Sequence, residues 1–304
     1  MIESEGQGFR ELLKVSTPYL AVTFVYATAV IVLEELIGDH VYKSAGQMGS
    51  VFGIAVAFFL GFRMNSAYDR WWEARKILGE LNNNASSFVC KVFTYFTNSA
   101  NLRETHRQQW ARITQDIIAM TRLYVKELKN ELLQTPDAPE SDRTQLFEKH
   151  QLSLQCPKAS NEILLALSVR IEEVFASERQ LEKSDLMAHI SRFFDIQGRA
   201  ERIKNTPFLK IYSAFTLLIV ILYVLLIPFF LGDIDLAGEG SRLEYLALPI
   251  MAVISSIFLT INRLANMHAE PFSNNPTSLP LRTICRGIDN NCAEVASKIV
   301  EPNG

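Results

Sequence analysis

The chain has 304 residues, 48% hydrophobic and 21% charged, and a mean hydropathy of +0.09, which is more apolar than a soluble enzyme of this length carries. A net charge of −3 and a pI near 6.0 exclude a strongly basic nucleic-acid-binding surface. Cys90, Cys156, Cys285 and Cys292 show no C-x-x-C spacing, so free thiols in a reducing compartment are expected rather than a zinc site or a disulfide framework.

Residues 1–17 mix Glu3, Glu5, Arg10, Glu11 and Lys14 with Phe9, Leu12, Leu13 and Val15, a short amphipathic lead-in. From Pro18 to Ile37 runs PYLAVTFVYATAVIVLEELI, with Glu34 and Glu35 only near its far end. It is long enough for a first span if those glutamates sit at the interface or face protein. A cleaved signal peptide, suggested by Ala27 and Ala29, is disfavoured by the acidic leader and by apolar residues continuing past the site. Gly38 to Gly46 is a link with few charges, and Gln47 to Lys76, QMGSVFGIAVAFFLGFRMNSAYDRWWEARK, follows. This stretch alone fits either a buried helix of a soluble core or a second span ending where Arg63, Arg70, Arg75 and Lys76 appear. Helical spacing of Ile77, Leu78, Leu81, Phe88, Val89, Val92, Phe93 and Phe96 continues or restarts the helix beyond it.

Between about Asn98 and Asn205 the pattern is that of soluble amphipathic helices, one marked by Trp110, Ile113, Ile117, Leu123 and Leu128, others around Asn161 to Ser177 and Asp185 to Ile203. Gln134 to Thr144, with Pro136 and Pro139, is a loop. There is no phosphate-binding glycine loop, no H-E-x-x-H pair and no G-x-S-x-G elbow, and His106, His150 and His189 stand singly, so no enzyme and no metal site is expected. Phe208 to Leu231 contains the single charge Lys210 and is the strongest span. A link carrying Asp233, Asp235, Glu239, Arg242 and Glu244 leads to a fourth span, Leu246 to Asn262, after which the tail is polar and rich in Asn and Pro. These other spans decide for the membrane reading of Gln47 to Lys76.

Basic residues flank one side of the spans: Arg63, Arg70, Arg75 and Lys76 after the second, Arg199, Arg202, Lys204 and Lys210 before the third, and Arg263 after the fourth; the opposite links carry only Lys43 and Arg242. The positive-inside rule then puts both termini and the helical insert in the cytoplasm. The expected fold is an all-α polytopic membrane protein with four transmembrane helices and a large cytosolic helical region. Its expected parts are 1–96 (lead-in, first two spans and cytosolic extension), 97–206 (cytosolic helices), 207–267 (third and fourth spans) and 268–304 (cytosolic tail). Within the second span Ile54, Phe58 and Phe62 are four apart, one above another on a helix, and the line extends to Ser50, Asn65 and Asp69. Such a stripe packs against neighbours in a monomer, or forms stacked apolar rings if copies surround an axis, and narrow apolar rings gate by dewetting.

The segment FRMNSAYDRWWEAR, Phe62 to Arg75, with the apolar helix before it, resembles the bestrophin family of ion channels, in particular its bacterial members. ERIKNTPFLKIY, Glu201 to Tyr212, and HAEPFSNNPTSLPL, His268 to Leu281, resemble the family's approach to the third span and its turn after the membrane. The resemblance runs along essentially the whole chain. It implies a homopentamer in the bacterial inner membrane, with the second helix of each subunit lining a central pore, the neck rings at Ile54, Phe58 and Phe62, and a second constriction near Glu178, Arg179, Gln180 and Leu181. Permeating monovalent ions and lipids are the implied partners, with no cofactor. Where animal bestrophins hold calcium with a run of acidic residues, this chain reads Ser273, Asn274, Asn275 and Pro276 after Glu270, Pro271 and Phe272, so calcium gating of that kind is not expected. Arg70, Trp71 and Trp72 are expected to act structurally, as interfacial anchors packing the neck helix.

Animal relatives are anion channels, whereas the bacterial resemblance implies monovalent cations. Asp233, Asp235, Glu239 and Glu244 outside, with Glu178 inside, tilt the expectation toward Na⁺ and K⁺. A chloride channel of the same architecture is the alternative, and a non-conducting membrane-anchored scaffold is the alternative of another class.

Overall fold

Residues 5–37, 46–97, 104–134, 158–175, 179–231 and 247–300 are described by the structure, a computed structural model, and regular structure among them is helical throughout. In chain order the helices are α1 (Glu5–Ile37), α2 (Gly46–Thr97), α3 (Glu104–Leu133), α4 (Ala159–Val174), α5 (Gln180–Asn205), α6 (Lys210–Leu231), α7 (Ala247–His268) and α8 (Leu281–Val300). Four of them, α1, α2, α6 and α7, carry stretches long and apolar enough to cross a membrane. The chain divides into two compact units, residues 1–71, 207–271 and 275–278 in the first, and residues 72–206, 272–274 and 279–304 in the second. The 52-residue α2 contributes to both.

In the first unit α1 and α6 each pack on α7, and α1 also touches α6. Val56 and Leu60 of α2 meet Val220 and Val224 of α6, with Phe52, Tyr223 and Phe258 around them. Lipid tails are as apolar as these side chains, so helix association in a membrane rests on close packing and interhelical hydrogen bonds. Both are present. A Cβ on Gly49 would strike the Phe230 ring, and one on Gly53 would strike the Tyr223 hydroxyl, so the two glycines let α2 approach α6. Thr23 Oγ1 donates to the Ala252 carbonyl across α1 and α7 (3.0 Å), and Tyr26 OH donates to the Leu225 carbonyl across α1 and α6 (2.7 Å). The expected lead-in and first span are one helix with Pro18 inside it. Proline removes one backbone donor there, and around it the Ser16 and Thr17 hydroxyls donate to the Leu13 carbonyl at 3.3 and 2.6 Å.

In the second unit the continuation of α2 buries Ile77, Leu78, Leu81, Phe88 and Val92, one face of a helix. Phe88 stands edge-on to Phe193 of α5 (centroids 5.8 Å), and Tyr124 of α3 stacks edge-on to the same ring (5.1 Å) while its OH donates to the Phe193 carbonyl (3.2 Å). His189 is part of this core: its Nδ1 is 2.7 Å from Asn84 Oδ1, and Asn84 Nδ2 donates to the His189 carbonyl (3.0 Å). Burial, helped by Lys91 and Arg192 and opposed by Asp185, pushes the imidazole pKa down. Asp185 accepts from Lys91 Nζ and from Tyr95 OH, each at 2.7 Å, which holds its carboxyl below the ordinary carboxylate range.

The tail departs from expectation. After α7, which runs on through Arg263 to His268, residues 281–300 form α8 packed on α3. Leu281, Cys285, Ile288, Cys292 and Ile299 are its buried face, and Arg122 of α3 makes a two-pronged ion pair with Asp289 at 2.6 and 3.0 Å. Polar and charged residues interrupt the apolar ones there, but the apolar ones recur at helical spacing.

Candidate functional site

The membrane-crossing part of α2 has two faces of opposite character. Gly49, Gly53, Val56, Leu60, Arg63 and Ala67 are buried, and at about 100° per residue they fall on one line. Ile54, Phe58 and Phe62 lie about 180° away from that line, and they are 72%, 62% and 53% exposed in the single chain. The Phe58 and Phe62 rings are perpendicular to each other with centroids 4.4 Å apart. Asn65 and Asp69 are exposed on the same side. Ile54, Phe58 and Phe62 offer no nucleophile, acid or ligand; their physical capacity is to exclude water from a narrow space. Among the described residues no three His, Cys, Asp or Glu side chains are grouped to hold a metal ion.

Arg63 is the residue that sequence reasoning misplaced. Counted there as a basic flank of the span, it is 1% exposed. Its Nη1 donates to the Ser213 carbonyl of α6 (3.3 Å) and to Asn262 Oδ1 of α7, and its Nη2 donates to Asn266 Oδ1 one turn further along α7. The available signal was the i, i+4 pair Asn262 and Asn266 on one side of a candidate span, since amides in a span need partners.

Trp71 Nε1 donates to the Thr277 carbonyl (3.0 Å), and its ring lies beside Tyr68 and His268, with centroids at 6.1 and 6.5 Å. Arg70 is half-buried and Trp72 is exposed. Arg179 precedes α5 with a left-handed backbone (φ 66°), places its guanidinium 5.6 Å from the Phe175 ring centre, and donates to Glu182 (3.1 Å). Gln180 and Leu181 open α5 and are exposed. Glu178, Asp233, Asp235, Glu239 and Glu244 lie outside the described residues.

Residues 11–294 match the sequence model of the family described as Bacterial/Fungal Bestrophin protein. The chain belongs to the bacterial bestrophin family. Among its relatives, a protein of Escherichia coli named voltage-dependent anion channel-forming protein YneE is 30% identical over 262 residues, which cover 83% of this chain and 79% of the relative. A Ralstonia nicotianae protein, also named voltage-dependent anion channel-forming, is 28% identical over 77% of this chain and 72% of its own length. The solved structure of a bacterial bestrophin homologue from Klebsiella pneumoniae superposes with a TM-score of 0.74 over 95% of this chain and 98% of that one, at 22% identity. The fold is the bestrophin fold, and this chain is a bestrophin-family channel protein rather than an enzyme.

Proposed function

We propose that the chain is one subunit of a homopentameric channel in which α2 of each copy faces a central pore, with Ile54, Phe58 and Phe62 forming an apolar neck. The observation that carries this reading is the exposure of that row opposite the buried face of the same helix. Three large apolar side chains in line, left uncovered by their own subunit, are accounted for by copies meeting around an axis, where narrow apolar rings make water and ions costly to hold. Residues 179–181, with Glu178, are the proposed second constriction. Both termini and the helices of residues 97–206 are proposed to lie in the cytoplasm of a bacterial inner membrane, on the charge asymmetry of the links.

The ion proposed is an anion. Support comes from relatives that carry anion channel-forming names at 28–30% identity, while the neck itself is uncharged and selects no sign. The sodium and potassium expectation rests on the resemblance to bacterial members and on outer and inner acidic residues, and the relatives' names lend it no support. Purified protein reconstituted in planar bilayers under unequal sodium chloride tests the reading. A current reversing toward the chloride equilibrium potential is expected. Reversal toward the sodium potential would return the cation assignment, and the absence of any current would favour the scaffold.

A further inference from the structure

We propose that Arg63 is a specificity-determining residue, a buried fixed cation behind the neck that raises the pore's preference for anions over cations. This rests on the reading that α2 lines the pore. Arg63 follows the neck residue Phe62 directly and is 1% exposed. Its hydrogen-bond partners are the Ser213 carbonyl and the side-chain oxygens of Asn262 and Asn266, all uncharged. Arginine stays protonated in proteins, so the group is an ionised guanidinium held by dipoles, with no carboxylate among those partners. The first carboxylate after it in α2 is Asp69, exposed and about 9 Å further along the helix axis.

An intramembrane charge is expensive to bury and marks ion pathways by default. A neutral side chain of similar length could brace α2 to Asn262 and Asn266 without that cost, so bracing by itself does not account for an arginine. Its field does. A charge enclosed by protein is poorly screened by salt, and every copy of α2 around a pore brings one, so the cations add at the level of the Phe62 ring. A permeating anion is attracted there and a cation repelled, while the apolar ring itself contributes no sign. The two asparagines orient oxygens at the guanidinium and satisfy its donors without neutralising it.

Three variants separate charge from bracing: Arg63→Lys keeps the charge and loses the fork, Arg63→Gln keeps a donor and loses the charge, and Asn266→Asp keeps Arg63 in place but sets a carboxylate against it. Each is purified, its oligomer checked by size exclusion, and its chloride-to-sodium permeability ratio read from reversal potentials in bilayers. The ratio is expected to fall roughly threefold or more, by the size of a single poorly screened charge, in Arg63→Gln and Asn266→Asp, and to stay close to wild type in Arg63→Lys. A wild-type ratio in an assembled Asn266→Asp or Arg63→Gln channel overturns the proposal and leaves Arg63 a brace; where Arg63→Gln does not assemble, the nearly isosteric Asn266→Asp decides. A silent wild-type protein instead refutes the channel reading.

Discussion

Two phenylalanines on one helix, Phe58 and Phe88, are expected to respond oppositely to truncation. Phe88 is 0% exposed and packs edge-on against Phe193 and beside His189, with centroids at 5.8 and 6.1 Å. Phe88→Ala therefore removes a fully buried ring, a change that costs about 3–5 kcal/mol. For a unit of this size that lowers the unfolding midpoint by roughly 10 °C. Phe58 is 62% exposed, and its ring contact within the subunit is with Phe62 at 4.4 Å, an edge-to-face pair worth about 0.5–1.5 kcal/mol. Phe58→Ala should shift the midpoint by no more than about 5 °C, yet raise ion flux by widening the apolar constriction. Thermal unfolding in detergent followed by size exclusion, with flux from liposomes of the same preparations, reads both effects. The reasoning fails if Phe58→Ala is as destabilising as Phe88→Ala, or if it is stable and conducts like the wild type.

Further outcomes follow from other contacts. Gly53→Val should impair assembly, because the new Cβ meets the Tyr223 hydroxyl and lies 3.0 Å from its Cζ; Tyr223→Ala in the same chain should partly restore the oligomer on size exclusion. Chelating calcium should leave the current unchanged, since the sequence carries no acidic run beyond Glu270, and a clear loss of current in chelator would refute this. In a Cys156→Ser background a thiol reagent at pH 8 should label one group per chain. Cys90 is exposed, whereas Cys285 and Cys292 are buried and burial pushes the Cys292 thiol up to about 11; labelling of Cys292 in the folded protein would contradict that packing.

The spans and the apolar row were readable in the residues because both are local signals. Twenty apolar residues in succession identify a membrane segment, and spacing by four places Ile54, Phe58 and Phe62 on one side of a helix whatever surrounds it. What the row faces is not local, and neither is the fate of Arg63. A charge at the end of an apolar run reads the same whether it reaches the interface or is enclosed, and here the deciding partners are Asn262 and Asn266, about two hundred positions away along the chain. Gly49 and Gly53 pose the same difficulty, since a glycine shows that something comes close without naming Phe230 or Tyr223. Helix α8 carries a local signal too: Leu281, Cys285, Ile288 and Cys292 repeat at three and four, but Arg282, Arg286, Asp289, Asn290 and Asn291 interrupt them and give the segment a polar look.

The central claim is that Ile54, Phe58 and Phe62 form the neck of an ion pore, and currents through wild-type and Ile54→Ala protein, purified and placed alone in planar bilayers under unequal sodium chloride, test it most directly. The account predicts a wild-type current reversing toward the chloride potential and a larger or leakier current in the variant at the same protein density. Identical currents from the two proteins, or none from either, would contradict it.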